Sequence, residues 1–311
     1  MPVAPVATEP LHVVPVPGHG CEDVLVARDG TVHTGTEDGS VWAVSPDGEQ
    51  VRRVGRVPGR PMGIELLPDG RLLVCDADNG LFALDTTDGR LEPLTSRVAG
   101  KPLRLTNNAA VAKDGTIWFT ESSQVHPLTR WKADLVEDTR TGRLLRRDPD
   151  GDVEVVLDGL RFANGVALAP DEAFVCVAES PGRAVVRHWL SGERAGRTDH
   201  LARDLPGYLD NIALGTDGLV WVTIASPPDR TLERVVRFPK VVRRTVNRVP
   251  ERLLPGPQRT ARVQAYDADG RLVHDRILDP TAFHMVTGVR EHHGRVWLGS
   301  LVEPAVAWFD V

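Results

Sequence analysis

The sequence predicts an all-β fold, a six-bladed β-propeller with helical or loop lid insertions, and three observations support it. Helical periodicity is scarce, whereas short runs of Val, Leu, Ile and Trp recur and are punctuated by Gly, Pro and Asp. A turn pair recurs six times, and a short apolar strand follows each copy. The shorter intervals between copies are 40, 45 and 46 residues, close to the ~40–50 residues of a propeller blade. Six copies therefore predict six blades in a single domain spanning residues 1–311.

The turn pairs define the repeat, because Asp and Gly supply the local hydrogen bonding and positive φ that tight turns need. The six pairs are Asp29-Gly30, Asp69-Gly70, Asp114-Gly115, Asp171-Glu172, Asp217-Gly218 and His293-Gly294. The strands predicted after them begin at Thr31, Arg71, Thr116, Ala173, Leu219 and Arg295. Further strands follow in many repeats, as at residues 40–44, 80–84 and 305–309. Successive hairpins of this kind build a four-stranded blade.

An additional apolar segment, residues 11–16, precedes the first repeat. We expect it to pair with the C-terminal blade, so that both ends of the chain share one sheet. Such pairing closes the ring and removes open sheet edges that invite aggregation.

Two intervals, of 57 and 76 residues, are longer than a blade and locate insertions at about 122–140 and 227–259. The second insertion is basic and has apolar residues at roughly helical spacing, which predicts two short helices broken near Pro239. We interpret both insertions as a lid, because a long insertion in a compact domain is often an active-site cover. Contact with a membrane surface is not expected, although the basic second insertion leaves it open.

Composition restricts the class of protein. The net charge of −6 and the pI of about 5.9 give no basic face of the kind that nucleic-acid-binding proteins carry. Cys21, Cys75 and Cys176 are odd in number and widely spaced, so neither a disulfide framework nor a zinc motif is predicted. The N-terminus resembles no signal peptide, and no apolar run reaches the ~18–20 residues of a membrane span. We expect a soluble cytoplasmic protein; its oligomeric state is not predicted.

Equivalent positions of the repeats are found by counting back seven residues from each turn pair. They are Glu22, Met62, Asn107, Asn164, Asp210 and Val286, or Thr287 if the last repeat is aligned on Gly288. The first strand of every propeller blade lines the central channel, so these positions converge on one axis. Met62 and the residue of the last repeat are predicted to be channel packing.

The other four positions form a ring of two carboxylates and two amide carbonyls, with Asp23, Asn108 and Asn211 as neighbours. A single Asn or Asp before a strand often caps a turn. Four such residues at one repeat offset instead predict a metal site, because the two carboxylates among them repel each other unless a cation lies between them. Hard oxygen donors favour Ca²⁺, with Mg²⁺ or Mn²⁺ next and Zn²⁺ as a further alternative, over copper or a structural zinc. The ligands predicted from the repeat are Glu22, Asn107, Asn164 and Asp210.

Several stretches resemble one family. They are Glu22-Asp23, Asn107-Asn108, residues 164–172, residues 207–212, Trp118-Phe119-Thr120-Glu121-Ser122-Ser123 and residues 141–146. Together they resemble the six-bladed propellers of the gluconolactonase, senescence-marker-protein, paraoxonase and strictosidine-synthase-like superfamily, most closely its strictosidine-synthase-like branch. The resemblance spans nearly the whole chain. It implies that Glu22, Asn107, Asn164 and Asp210 hold a catalytic metal, and that Asp23 and Asn211 join them as in paraoxonases.

Two departures limit what the resemblance implies. Plant strictosidine synthases place a catalytic glutamate on the last blade, where this chain has Thr287, so their condensation reaction is not expected. Paraoxonases place a catalytic histidine where this chain has Met62, so their histidine dyad is not expected either. Neither departure affects the residues predicted to bind the metal.

A channel cation polarises an ester or lactone carbonyl while a carboxylate takes a proton from the attacking water. Asp210 is the predicted base, with Asp23 and Glu121 in reserve. His126, in the first insertion, is a candidate proton shuttle at the channel mouth. The sequence therefore predicts a Ca²⁺-dependent hydrolase of a small-molecule lactone or ester. The alternatives are a strictosidine-synthase-like biosynthetic cyclase, epimerase or condensing enzyme that uses the same pocket, and a non-catalytic metal-binding propeller.

Overall fold

Strands dominate the computed structural model, which describes residues 10–247 and 258–311. Its 26 described strands form six four-stranded antiparallel sheets and one two-stranded ribbon. Each sheet corresponds to one predicted repeat, and the strands predicted after the six turn pairs are the second strands of the six blades. The predicted six-bladed propeller is confirmed.

The first three blades follow the chain in simple order. Blade I contains β2 (Val24–Val26), β3 (Val32–Gly35), β4 (Ser40–Val44) and β5 (Val51–Arg56). Blade II contains β6 (Pro61–Leu66), β7 (Leu72–Asp76), β8 (Gly80–Leu84) and β9 (Leu91–Thr95). The ribbon of β10 (Arg97–Val98) and β11 (Lys101–Pro102) follows. Blade III contains β12 (Thr106–Val111), β13 (Ile117–Glu121), β14 (Gly142–Arg147) and β15 (Val153–Leu160).

Blades IV to VI repeat this arrangement. Blade IV contains β16 (Ala163–Leu168), β17 (Phe174–Glu179), β18 (Ala184–Trp189) and β19 (Thr198–Ala202). Blade V contains β20 (Tyr208–Leu214), β21 (Val220–Ser226), β22 (Arg262–Tyr266) and β23 (Leu272–Ile277). Blade VI contains β24 (Val286–His292), β25 (Arg295–Ser300), β26 (Ala305–Asp310) and the N-terminal β1 (His12–Pro15).

The N-terminal strand closes the ring. β1 pairs antiparallel with β26, from His12 opposite Trp308 to Pro15 opposite Ala305. The first and last described parts of the chain therefore share one sheet, as the apolar segment at 11–16 predicted, and β1 supplies the outermost strand of blade VI.

The core is divided among the spaces between neighbouring blades. Six buried apolar clusters fill the six interfaces, including the interface between blades VI and I. In that interface Val24 and Val32 of blade I pack with Val306 of blade VI. Each blade is thus buried on both faces, which is why its strands read as apolar runs and not as a strict alternation.

Both predicted insertions contain helices. The first holds a 3₁₀ turn (Leu128–Arg130) and α1 (Trp131–Glu137), and the second holds α2 (Arg230–Val235) and α3 (Lys240–Val246). A further 3₁₀ turn (Gly192–Arg194) lies in blade IV. Pro239 caps the start of α3, so the break near this residue is confirmed. Residues 248–257 of the second insertion lie outside the described residues.

One buried histidine predicts how stability depends on pH. Burial lowers the pKa of His33, in β3, from 6.5 to about 4, and its Nδ1 has no partner among the described residues. Because the unfolded chain takes up this proton below pH 6.5 and the folded chain does not, His33 destabilises the fold as pH falls from about 6.5 to 4.

We expect His33→Leu to abolish roughly 3 kcal/mol of that acid sensitivity. Denaturant unfolding of wild type and variant at pH 7 and pH 4.5 measures the difference. Equal losses of unfolding free energy in both proteins would contradict the assignment.

Candidate metal centre

A β-bulge lies at the predicted ring position of five blades. The pairing of first and second strands shifts between Pro61 and Ile64, Thr106 and Ala109, Ala163 and Val166, Leu209 and Ile212, and Val286 and Val289. A bulge re-aims side chains that would otherwise alternate across the sheet. In blade I the equivalent residues, Glu22 and Asp23, directly precede β2.

The bulge in blade VI corrects one alignment. The residues inside it are Thr287 and Gly288, so Thr287 and not Val286 is the ring equivalent. Gly288 packs on Asp23, Gly63 on Asn108 and Gly165 on Asn211, and an added Cβ at each would approach the partner's Cα within 2.6–2.7 Å. The residue after the ring position thus alternates around the propeller between Gly and a side chain with an oxygen.

Glu22, Asn107, Asn164 and Asp210 all line one cavity of about 190 Å³. The predicted convergence of these four positions is therefore present in the structure. Glu22, Asn107 and Asn164 are at most 3% exposed, whereas Asp210 is partly exposed toward the cavity. Met62 lines the same cavity beside them, and Thr287 is fully buried and donates to the Glu22 carbonyl oxygen (2.6 Å).

Hydrogen bonds fix the orientation of both ring amides. The Ser122 hydroxyl donates to the Ala163 carbonyl oxygen (2.7 Å) and therefore accepts from Asn107 Nδ2 (2.9 Å). Asn164 Nδ2 donates to Ser180 Oγ (3.2 Å). Asn107 Oδ1 and Asn164 Oδ1 are buried and have no hydrogen-bond partner among the described residues. Leaving a buried acceptor unpaired costs about 1–3 kcal/mol, so these oxygens are arranged for a ligand.

The two ring carboxylates are close enough to repel each other. Burial, followed by the charge of Asp210, raises the pKa of Glu22 well above its usual value, and burial raises the pKa of Asp210 to about 8. The charge of Arg60 opposes both shifts, but its Nη2 donates to the carbonyl oxygens of Leu301 (3.1 Å) and Gly20 (3.5 Å). A positive charge placed between the Glu22 and Asp210 carboxylates would lower the pKa values of both groups.

The donor set fits a hard divalent cation. Two carboxylates and two unpaired amide oxygens are the ligands that Ca²⁺ prefers, and Mg²⁺ or Mn²⁺ accepts them too. In the described part of the chain, no group of three or more His, Cys, Asp or Glu side chains is placed to hold a metal ion. The ring therefore depends on its amides, and it lacks the nitrogen and sulfur ligands typical of zinc.

Asp23, Asn108 and Asn211 lie one residue beyond the ring, and two of them link neighbouring blades. Asp23 Oδ2 accepts from the Ile64 amide (3.1 Å) and Asn108 Nδ2 (3.2 Å), and Asn108 Oδ1 accepts from the Val166 amide (3.0 Å). Burial raises the pKa of Asp23 to about 6. Asp23 is absent from the cavity lining, so its carboxylate holds inner strands together beneath the ring.

Asn211 differs from its two equivalents. Its Nδ2 lies 3.3 Å from both Glu22 carboxylate oxygens, and its Oδ1 is buried without a partner among the described residues. The structure thus places this predicted ligand against the ring, behind Glu22.

Glu121 and His126 lie away from the cavity lining. Glu121 forms a buried ion pair with Arg143, whose Nε is 2.8 Å from Oε2, and its Oε1 accepts from the Arg104 amide (2.8 Å). His126 Nε2 is 3.6 Å from Glu137 Oε1 within the first insertion. Glu121 is thus held by Arg143 and Arg104, whereas His126 Nε2 is buried without a hydrogen-bond partner among the described residues.

Sequence reasoning missed the serines that orient the amides. Ser122 follows Asn107 by 15 residues, and Ser180 and Ser226 follow Asn164 and Asp210 by 16. These nearly equal offsets were a readable signal, because all three serines end or follow a second strand beside the ring.

The two insertions form the cavity's upper wall, as the lid interpretation predicted. Trp131, Leu135 and Val136 line it from α1, and Leu232 and Val235 from α2. The turn between α2 and α3 and the first turn of α3 face solvent instead, with Phe238 52% exposed and Val241 75% exposed. In the described residues, no helix has the length and apolar character to cross a membrane.

Cation binding should depend on pH in a direction set by the ring. Because the pKa of Asp210 is raised in the metal-free fold, this fold holds extra protons at pH 6 that a cation must displace. We expect the rise in Tm produced by Ca²⁺ to be larger at pH 8 than at pH 6. Differential scanning fluorimetry at both pH values, with and without Ca²⁺, checks this, and an equal or smaller rise at pH 8 would contradict it.

Two family profiles match the sequence. The SMP-30/gluconolactonase/LRE-like region matches residues 34–245, and the strictosidine synthase-like N-terminal region matches residues 11–44. Strictosidine synthase-like protein 6 of Arabidopsis thaliana is 31% identical over 278 residues, which cover 86% of this chain and 73% of the relative. The human adipocyte plasma membrane-associated protein is 32% identical over 313 residues, covering 91% of this chain and 75% of the relative.

Solved structures share the propeller. A gluconolactonase from Xanthomonas campestris superposes with a TM-score of 0.71 at 19% identity, covering 96% of this chain and 89% of the other. The calcium-binding protein regucalcin from Agrobacterium tumefaciens gives a TM-score of 0.67 at 13% identity, covering 96% and 92%. At such low identity the structural likeness establishes the fold alone.

Proposed function

The chain belongs to the SMP-30/gluconolactonase/LRE-like family, and we propose that it is a Ca²⁺-dependent hydrolase of a small-molecule lactone or ester. One observation carries this proposal. The carboxylates of Glu22 and Asp210 and the amides of Asn107 and Asn164 line a single cavity. The two amide oxygens have no hydrogen-bond partner among the described residues. Such a site can hold a cation and present it to a carbonyl group.

Glu22, Asn107, Asn164 and Asp210 would hold the cation, with Asn211 behind Glu22. When bound there, a divalent cation polarises a carbonyl oxygen and stabilises the negative charge that develops on it. Ser122 and Ser180 keep the Asn107 and Asn164 oxygens directed at the site by binding the amide nitrogens. This preorganisation limits the reorganisation needed during the reaction.

Asp210 is the proposed general base, because it is the ring residue with appreciable exposure to the cavity. Its carboxylate takes a proton from water as the water oxygen attacks the carbonyl carbon, and it returns that proton to the departing alkoxide oxygen. Asp210 would be ionised at neutral pH beside a cation held by the ring. Asp23 and Glu121 suit this role less well, since Asp23 is bound by Ile64 and Asn108 of other blades and Glu121 by Arg143 and Arg104.

The family match leaves a biosynthetic use of the same cavity as the principal alternative. Thr287 occupies the ring position of blade VI, and its hydroxyl is committed to the Glu22 carbonyl oxygen. That position therefore offers no carboxylate for a condensation reaction, which is why hydrolysis is preferred.

A substrate panel distinguishes the candidates. Purified protein in Ca²⁺ is assayed against small γ-lactones, alkyl γ-lactones and aryl esters, and its bound metal is measured on the same sample. Hydrolysis of at least one class supports the proposal. Stoichiometric Ca²⁺ without hydrolysis of any class favours the biosynthetic enzyme or the non-catalytic metal-binding propeller.

A further inference from the structure

The cavity is polar at its floor and apolar along its upper wall. The wall side chains of α1 follow the spacing of one helix face, since Trp131 and Leu135 are separated by one turn, as are Lys132 and Val136. Lys132 is the charged member of this otherwise apolar face. Leu232 and Val235 of α2 continue this surface. A molecule whose carbonyl group sits on the ring therefore extends between apolar side chains.

Three polar residues that line the cavity, Tyr208, Asp229 and Ser226, already have partners. The Tyr208 hydroxyl accepts from the Asp229 amide (3.0 Å), and Asp229 Oδ1 accepts from the Thr231 and Leu232 amides (2.7 and 2.9 Å) at the start of α2. The Ser226 hydroxyl donates to the Pro227 carbonyl oxygen (3.1 Å). A sugar lactone has several hydroxyls that lose water in such a cavity, and these groups offer them few new hydrogen bonds.

The wall is held in place by the lid's own contacts. Asp134 Oδ2 of α1 accepts from Thr139 Oγ1 (2.6 Å) and from Ser123 Oγ next to blade III. Asn247, just after α3, donates through Nδ2 to the Ala133 carbonyl oxygen and to Glu137 Oε1 (both 2.9 Å). The two insertions are thus tied to each other, so the apolar surface exists before any ligand binds.

From this arrangement we propose that the cavity selects lactones or esters that carry an extended apolar substituent, and disfavours polyhydroxylated sugar lactones. The inference rests on the proposed hydrolase function for its chemistry, and on the wall of α1 and α2 for its specificity. Each methylene buried against that wall should improve kcat/KM roughly threefold, the factor expected for moving it out of water.

The test compares γ-butyrolactone, γ-octalactone, γ-decalactone and glucono-1,5-lactone as substrates of the Ca²⁺-loaded protein. Six methylenes separate γ-decalactone from γ-butyrolactone, so we expect kcat/KM to rise by roughly 700-fold between them, with the sugar lactone below γ-decalactone. A flat series, or preference for the sugar lactone, would overturn the inference while leaving the hydrolase proposal standing.

Binding of ketones that cannot be hydrolysed separates the two proposals. Isothermal titration should give a much lower Kd for 2-hexylcyclopentanone than for cyclopentanone. If this result were obtained and no lactone were hydrolysed, the proposed hydrolase function would be wrong, whereas the proposed selectivity for apolar substituents would be supported. Equal affinities of the two ketones would count against the selectivity itself.

Matched substitutions locate the effect in the wall. Val235→Asn places an amide in the cavity and should reduce the ratio of kcat/KM for γ-decalactone over γ-butyrolactone by about tenfold. Val241→Asn makes the same change on the exposed side of the second insertion, where the ratio should stay at the wild-type value. Val136→Asn, on α1, is the second wall variant should Val235→Asn fail to fold. An unchanged ratio in a folded wall variant would refute the assignment.

Discussion

Replacing Asp210 with asparagine is expected to lower kcat/KM for lactone hydrolysis by roughly 10³-fold or more, because the change removes the base and weakens the cation site together. An amide of the same shape cannot take the proton from water. The measurement is steady-state hydrolysis at pH 8 in saturating Ca²⁺, with circular dichroism to verify the fold.

Asp171→Asn is the matched control. It makes the same substitution in a turn of blade IV, where Asp171 Oδ1 accepts from the Ala173 amide (3.0 Å). Asparagine is tolerated in such turns, so activity should remain within about twofold of wild type. Activity of Asp210→Asn close to that of this control would eliminate Asp210 as the base, and bound-metal analysis of the variant shows whether ligation survived.

Glu22→Gln is expected to shift stability in opposite directions with and without the cation. In the metal-free fold the variant should have the higher Tm at pH 8, by about 2 °C or more, because it lacks a buried carboxylate whose pKa is raised by burial and by Asp210. In Ca²⁺ the wild type should have the higher Tm, because the variant has lost a charged ligand. Scanning calorimetry in EDTA and in Ca²⁺ measures both.

Glu121→Gln provides the contrasting buried carboxylate. It leaves Arg143 without its ion-pair partner, so it should lower Tm in both solutions. If Glu22→Gln behaved like Glu121→Gln and lowered Tm in EDTA, Glu22 would be a structural residue and not a cation ligand.

The repeat itself made the blades and the ring predictable from sequence. Turn pairs at a fixed offset identified Glu22, Asn107, Asn164 and Asp210, and all four line the cavity. The last repeat was ambiguous by one residue. Its first hairpin is one residue shorter than the others, so counting seven residues back from the turn reaches Val286 and not Thr287. Only the bulge between Val286 and Val289 placed Thr287 in the ring.

The contacts that each side chain makes could not be predicted from the sequence. Asp23 and Glu121 are carboxylates near the motif, yet contacts between distant segments decide their roles, such as the Asp23 bond to the Ile64 amide. The His126 neighbour Glu137 lies on the same insertion, but the direction of that insertion's helix was not predictable. Spacing gives the position along a strand, and tertiary packing gives the partner.

Chelation of the wild-type protein tests the central claim most directly. One purified sample is assayed for hydrolysis of its best lactone or ester substrate before chelation, after removal of bound metal, and after Ca²⁺ is restored. Activity lost with the metal and recovered with Ca²⁺ is the predicted result. Full activity in protein shown to be metal-free would contradict the claim that Glu22, Asn107, Asn164 and Asp210 hold a catalytic cation.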